Sequence, residues 1–470
     1  MRISIILILL ALATKASCNI DLGTIIGLGL PVVEITTQDG EEPSCEMLEP
    51  PEDCMGQGIT NTNKVKGRLR IIDGEETLYD SGDYQEDSDG MTIRIRGNSS
   101  AWADKKPYKI KLQNAADLLT RGDNSKYADK EWLLIKDEKV SLNTVIGLKV
   151  NELMGMQWTP AYKIVNVVMN GDYRGIYLLI ESVKRNSRCR LDISKTGYLF
   201  EYDPYWWNED VYLDTPFTSA PEAKPVKFTF KYPSDEDITP EHILYLQRVL
   251  GTLEASFADG SYTEYMDLDS FVSWLLGQDI LGNGDGHGSN MYLTKYDDTP
   301  TSKVMMANLW DFDVIMTTAG EWSQSHGVFY FDKLWHSSDL TFSNAYQEKW
   351  NEVKVKLVPE LTAFLEQFAA SNTGEAFNRS IPYDSERWSM EAVTLDTIIN
   401  EAQNWFANRE QWLEQNINGS SAIKSIKADE HVQPTFIYSI EGRRLKSLSK
   451  GINIIRQRDG RTKKIIITSK

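Results

Sequence analysis

The sequence predicts an α+β protein with two lobes, the first rich in strands and the second helical, with a cleft between them. Three observations lead there. Short alternating or apolar runs bounded by turns occupy residues 30–232, with one helical stretch among them. From Thr239 the periodicity changes to that of successive long helices. After about residue 433, strand and turn alternate again in a segment rich in Lys and Arg, which reads as a small β-rich appendage over 433–470.

Composition is compatible with a large core. Of 470 residues, 41% are apolar and 25% charged, and the 13 Trp and 21 Tyr argue against extended disorder. A net charge of -18 excludes general binding to a nucleic-acid backbone, because no counterion release would drive it. A nucleotide held by a metal ion and a few local cations remains compatible with that charge.

Arg2 followed by the apolar run Ile5 to Ala13 and by Thr14-Lys15-Ala16-Ser17-Cys18 reads as an export signal over residues 1–18. The run is too short to span a bilayer, and no later transmembrane candidate follows. Cys18 is a candidate for lipidation; cleavage near Ala16 is the alternative. The expected location is the periplasm, the outer-membrane surface or the medium. Cys45 and Cys54, in a Pro/Glu-rich loop, are expected to close a small disulfide in that compartment, and Cys189 to be unpaired and buried.

Leu30 to Thr37 reads as a strand, and residues 41–63 as an irregular excursion. Lys66 to Ile72, Met91 to Gly97, Tyr108 to Leu112 and Trp132 to Ile135 follow as strands. Val140 to Gly155 carries a helical pattern. Ala161 to Met169 and Tyr173 to Glu181 flank Asn170-Gly171, the sharpest hairpin signal in the chain. Strands continue through Gly197 to Tyr202 and Val226 to Tyr232. Thr239-Pro240 opens a helix to about Phe257. Further helices are expected over Asp267 to Leu281, over Ala345 to Leu365 with an interruption at Pro359, and over Leu395 to Leu413.

The chemistry concentrates in three segments. In Asn283-Gly284-Asp285-Gly286-His287-Gly288-Ser289-Asn290 an Asp precedes an Asn by five residues on a loop between helix and strand. In phosphoryl transfer such an Asp receives the acceptor hydroxyl's proton, and the Asn holds a Mg²⁺ bridging nucleotide phosphates. His287 reads first as a residue that orients this loop, and second as a base. Next comes Asn308-Leu309-Trp310-Asp311-Phe312-Asp313, whose Asp311, helped by Asp313, suits a hard cation. The third segment runs from Arg94-Ile95-Arg96-Gly97-Asn98-Ser99-Ser100 to Lys105-Lys106-Pro107-Tyr108-Lys109-Ile110-Lys111, where turn amides and strand lysines can face one anion.

Taken in order, RGNSS, KKPYKIKL, the strand ending at Glu181, KYPSDED, Asn-x-Asp-x-His with Ser-Asn, and Trp-Asp-x-Asp resemble the CotH (spore-coat protein H) kinase family over residues 28–425. The resemblance implies an atypical protein-kinase-like fold with a strand-rich N-lobe and helical C-lobe. It implies ATP with Mg²⁺ or Mn²⁺; together with the export signal this leads to the expectation of a kinase acting on Ser/Thr of a protein partner at the cell surface or in the envelope. Asp285 would be the catalytic Asp, and Asn290, Asp311 and Asp313 the metal ligands. Lys111 would be the phosphate lysine, with Lys106 and Lys109 as rivals, Glu152 its ion-pair partner, and Arg96 and Asn98 part of the nucleotide grip. Glu181 to Val183 would lie against adenine. Asn143 and Ser182 depart from the family pattern. The tail resembles the end of the sorting domains used in type IX secretion. A non-catalytic surface protein using Tyr205-Trp206-Trp207 for contacts is the competing reading.

Overall fold

The computed structural model describes residues 20–60, 62–137, 139–218, 224–286, 288–317, 319–419, 436–439, 444–445, 451–456 and 462–467. The expected export signal, Cys18 and His287 lie outside them. The chain divides into two compact units, residues 1–413 and 414–470.

In the first unit, strands β1 (Val32–Thr37), β2 (Val65–Asp73), β3 (Glu76–Asp80), β4 (Met91–Ile95), β5 (Tyr108–Ala116), β6 (Asp129–Ile135), β7 (Tyr162–Met169) and β8 (Asp172–Glu181) form one sheet in the order β1-β7-β8-β6-β5-β4-β2-β3. β1 also pairs with β2, in the register Val32 to Ile72, which closes the sheet into a barrel and leaves β3 as an outer edge. Among the described residues, the one parallel contact in this sheet is β1 on β7. Alternation decides the filling: Ile93, Ile110, Trp132, Leu134, Val165 and Leu179 are fully buried inside, so their neighbours in sequence face outward.

Helix α1 (Asn143–Leu153) lies between β6 and β7 in the chain. A second sheet, in the order β10-β11-β9-β12-β13, is built from β9 (Tyr198–Asp203), β10 (Tyr212–Leu213), β11 (Lys227–Tyr232), β12 (Met291–Lys295) and β13 (Val304–Met306). Its strands therefore come from both sides of helices α2 (Pro240–Ser256) and α3 (Leu268–Leu281), a mixing that the simple division into strand half and helix half had not anticipated. α2 starts where the sequence places it: Thr239 caps it, Pro240 takes the first turn, and His242 completes the capping box.

Helices α4 (Phe329–Trp335), α5 (Thr341–Ala369), α6 (Asn372–Trp388) and α7 (Leu395–Ile417) follow. The expected break at Pro359 is absent, and α5 runs through it. Pro359 sits on the exposed face, where Val355, four residues earlier, is 73% exposed, so water can satisfy the carbonyl that loses its partner. α6 was missed because Gly374, Pro382 and a polar composition hide its pattern; Ser371 caps it at the backbone N–H of Gly374.

Two cysteine expectations need correction. Cys45 and Cys54 are not bonded to one another. Cys45 packs on the barrel core, and Cys54 is buried with its carbonyl accepting from Lys224. Cys189 is only partly buried. The irregular excursion contains a two-residue ladder, Met47–Leu48 on Gly58–Ile59. In the second unit, β14 (Phe436–Ser439), β15 (Arg444–Leu445), β16 (Gly451–Arg456) and β17 (Thr462–Ile467) form an antiparallel sheet in the order β15-β14-β16-β17. No helix among the described residues is long and apolar enough to cross a membrane.

Candidate active site

Outward-facing residues of the barrel form one wall of a cleft. Arg94 pairs across strands with Lys109, Lys109 with Leu133, and Leu133 with Ile180, so the four make one row over β4, β5, β6 and β8. Beyond the row, Gly97 adopts a φ of 87° and turns the chain so that Asn98, Ser99 and Ser100 reach the same opening. The opposite wall is the second sheet, with Glu201, Asp203, Lys231 and Tyr292. The enclosed volume is about 480 Å³, within the usual range of small-molecule sites.

The two acidic loops close one end. Asp285, Asn290, Asp311 and Asp313 all line the cleft, although 21 residues separate Asn290 from Asp311. Asn290 Nδ2 donates to Asp311 Oδ2 at 3.1 Å. Both residues sit in the left-handed region, with φ of 59° and 62°, a conformation that Asn and Asp tolerate better than other side chains apart from glycine. Asp311 thus lies on a turn beyond the end of β13. Asn283 links the loops: its Nδ2 donates to the Asp311 carbonyl at 3.2 Å and its Oδ1 accepts from the Asp285 N–H at 2.9 Å.

α1 holds the second loop along a single face. Asn143, Gly147 and Asn151 are four residues apart and therefore stack on one side of the helix. Asn143 Nδ2 donates to the Asp313 carbonyl at 3.1 Å, and Asn151 Oδ1 accepts from the Leu309 N–H at 2.7 Å. Between them Gly147 lies against the Phe312 ring, where a Cβ would fall 2.2 Å from ring carbons. Asn143, a departure from the family pattern, therefore has a defined task here. The other departure, Ser182, accepts from buried Arg190 at 2.6 Å.

Several expected site residues lie elsewhere. Lys109 reaches the cleft, whereas Lys111, two residues further along β5, is exposed and outside it. Lys106 donates to the Ala101 carbonyl and does not line the cleft. Glu152 is the exposed residue of α1 and pairs with Lys149, so it cannot serve a cleft lysine. Lys109 pairs instead with Glu131 of the neighbouring strand, at 3.2 Å. Glu181 alternates out of the cleft: its buried carboxylate accepts from the Ala161 N–H and pairs with Arg121 at 3.0 Å. Ser182 and Val183, which begin the connection from the barrel to the second sheet, do line the cleft.

Electrostatics divide the site. Burial lowers the Lys109 ammonium, with Glu131 acting against it. Burial would raise the Glu131 carboxyl, but Lys109 and Lys184 outweigh it and hold it below its ordinary range. On the other wall, burial pushes Glu201 up to about 7, against the pull of Lys231. Burial also opposes the charge on Lys231, yet Glu201, Glu209 and Asp203 outweigh it and raise that ammonium. Tyr205 is raised by burial and by the charges of Asp285, Asp203 and Asp311. Glu131 and Glu201 were missed in the sequence, and Arg94 and Lys231 were given no role there. Arg94, two residues before Arg96 on an alternating strand, and Lys231, which opens KYPSDED, carried usable signals there.

For a divalent cation, Asp311, Asp313 and the amide oxygen of Asn290 supply hard oxygen donors, which suits Mg²⁺ when nucleotide phosphates complete its shell. Among the described residues no three His, Cys, Asp or Glu side chains are grouped closely enough to hold a metal on their own. The fit is therefore to a cation shared with phosphates.

The sequence profile of the CotH kinase protein family matches residues 93–413, more than half of the chain. The chain belongs to the CotH kinase family. The matched span runs from β4 to α7 and includes both walls of the cleft and both acidic loops. As a family member it is kinase-like, and the family implies ATP and a divalent metal in general. No curated protein matches the chain. Among solved structures, the crystal structure of a Helicobacter pylori proinflammatory kinase CtkA is similar at 8% identity, covering 63% of this chain and 94% of that one with a TM-score of 0.27. So loose a superposition carries no argument about this site.

Proposed function

We propose that this chain is an exported atypical kinase that transfers the γ-phosphate of ATP to Ser/Thr of a protein partner, in a cleft between two lobes. The observation that carries the reading is the convergence of Asp285, the Asn290–Asp311 contact and the Arg94–Lys109 row on one opening. Lys109 and Arg96 bind phosphate oxygens, and Ser182–Val183 present backbone to the base. Asn290, Asp311 and Asp313 hold a Mg²⁺ or Mn²⁺, which when bound neutralises the charge on the β- and γ-phosphates. Asp285 orients the acceptor hydroxyl and takes its proton. Residues 1–18 direct export, and the 433–470 segment serves as a sorting element.

Of the aromatic trio in the competing reading, Tyr205 lines the cleft, while Trp206 and Trp207 are half-buried and donate to the carbonyls of Pro225 and Met55. The test is transfer of labelled γ-phosphate by the chain from residue 19, with Mg²⁺ or Mn²⁺ and generic protein acceptors. Transfer lost in both Asp285→Ala and Asp311→Ala is expected. A folded wild-type protein that neither transfers phosphate nor shows an ATP-dependent thermal shift would remove the kinase reading.

A further inference from the structure

Behind the Asp285 loop, outside the cleft, lies a buried charged network that the chemistry above does not use. Asp279, in the last turn of α3, is fully buried. Its carboxylate accepts from the Tyr346 hydroxyl at 2.6 Å and the Ser323 N–H at 2.8 Å, and lies 2.6 Å from His326 Nε2. Arg409 of α7 donates to the Asp279 carbonyl at 2.6 Å, and to the carbonyls of Ala319 and Glu321 at 2.9 and 2.7 Å. The Asp279 carboxylate thus ties α3 and α5 to the segment 319–326, and its backbone carbonyl adds Arg409 of α7.

That segment reaches back to the acidic loop. Buried Ser325 donates its hydroxyl to the carbonyl of Gly286. Gly286 has no room for a side chain: a Cβ there would lie 2.9 Å from both Ser325 Oγ and Gln278 Oε1. Gly286 follows Asp285 directly. Burial would raise the Asp279 carboxyl, but His326 and the hydrogen bonds outweigh it, so the anchor is ionised. An ionised carboxylate this deeply buried is a costly way to stabilise a fold that apolar packing would serve as well.

We propose that Asp279 is a positioning residue for Asp285, acting through Ser323 and His326 on the 319–326 segment and through Ser325 on Gly286. The inference rests on the kinase reading for its effect on turnover. The mechanical link stands apart from that reading, and the test separates the two. Hydrogen exchange of residues 284–290 and steady-state kinetics would be measured on the full chain as Asp279→Asn and Ser325→Ala. In Asp279→Asn, kcat is expected to fall about a hundredfold at unchanged KM for ATP, as for a misplacement near 1 Å. The loop amides should exchange about tenfold faster while barrel amides keep their wild-type rates. Ser325→Ala, which removes one hydroxyl and no charge, should move both readouts in the same direction by less, and it decides the matter if Asp279→Asn fails to fold. Loop exchange at the wild-type rate in the folded variants would overturn the proposal. A wild-type protein without transfer activity would sink the kinase reading, and loop exchange alone would then decide the link.

Discussion

Gly147→Ala adds one methyl group to α1 where the helix meets the loop that carries Asp311. The new Cβ would lie 2.2 Å from Cγ and Cδ1 of Phe312 and 2.7 Å from Cδ2, against the roughly 3.5 Å that carbon atoms prefer. Either the ring or the helix must therefore move by more than about 1 Å. Overpacking of this kind costs about 1–3 kcal/mol. Phe312 lies between Asp311 and Asp313 in sequence, so the displacement passes directly to both carboxylates, and a shift near 1 Å corresponds to about a hundredfold loss of turnover. Gly251→Ala in α2 is the matched control, since nothing lies within 4 Å of its Cβ position. That change should stabilise by about 0.5–1 kcal/mol through the general preference of helices for alanine. The assay is a chemical melt of each variant beside γ-phosphate transfer. Gly147→Ala with wild-type melting and wild-type transfer would refute the claim that α1 sets the position of the Asp311 loop.

Other consequences are open to measurement. Lys109→Ala should raise the KM for ATP by about ten- to a hundredfold, the worth of a lost charge-assisted hydrogen bond, while Lys111→Ala stays within about twofold; equal effects would contradict the assignment by position along β5. Lys105 and Asp384 form a buried pair at 2.8 Å between the barrel and α6, so Lys105→Met should cost about 3–5 kcal/mol in a denaturant melt by leaving the carboxylate uncompensated. Glu201 is raised to about 7 in the folded chain, so the native state holds a proton that the unfolded chain releases. Stability from this group is present below the unfolded value near 4.5 and lost as pH rises through 7, by about 3 kcal/mol in all. Glu201→Gln should flatten the dependence of Tm on pH over that window, and an unchanged slope would count against the raised carboxyl.

How much was legible in the sequence depended on how local each signal was. The Thr239-Pro240 cap and the Asn170-Gly171 hairpin are settled within a few residues, and both form as the sequence indicates. The order of Asp285, Asn290 and Asp311 was also readable, because each sits on a short loop of characteristic spacing. Closure of the barrel was not, since it needs β1 to pair both with β2 and, some 130 residues later, with β7. The lysine assignment went astray for a similar reason. Lys109 and Lys111 share a strand face, and only the neighbours across β6 and the opposite wall decide which of them meets the cleft. Glu152 looked like a partner by its place on a helix, but α1 turns Asn143, Gly147 and Asn151 inward and leaves Glu152 in water, while Glu131 approaches Lys109 from the adjacent strand.

The central claim is that one cleft holds a nucleotide between the Arg94–Lys109 row and the Asp285 and Asp311 loops. Calorimetric titration of ATP into the chain from residue 19, with and without Mg²⁺, tests it most directly when repeated on Lys109→Ala and Asp311→Ala. One metal-dependent site is expected, at least about tenfold weaker without Lys109 and no longer responsive to Mg²⁺ without Asp311. No binding to the folded wild-type chain, or binding that ignores the metal and both substitutions, would contradict it.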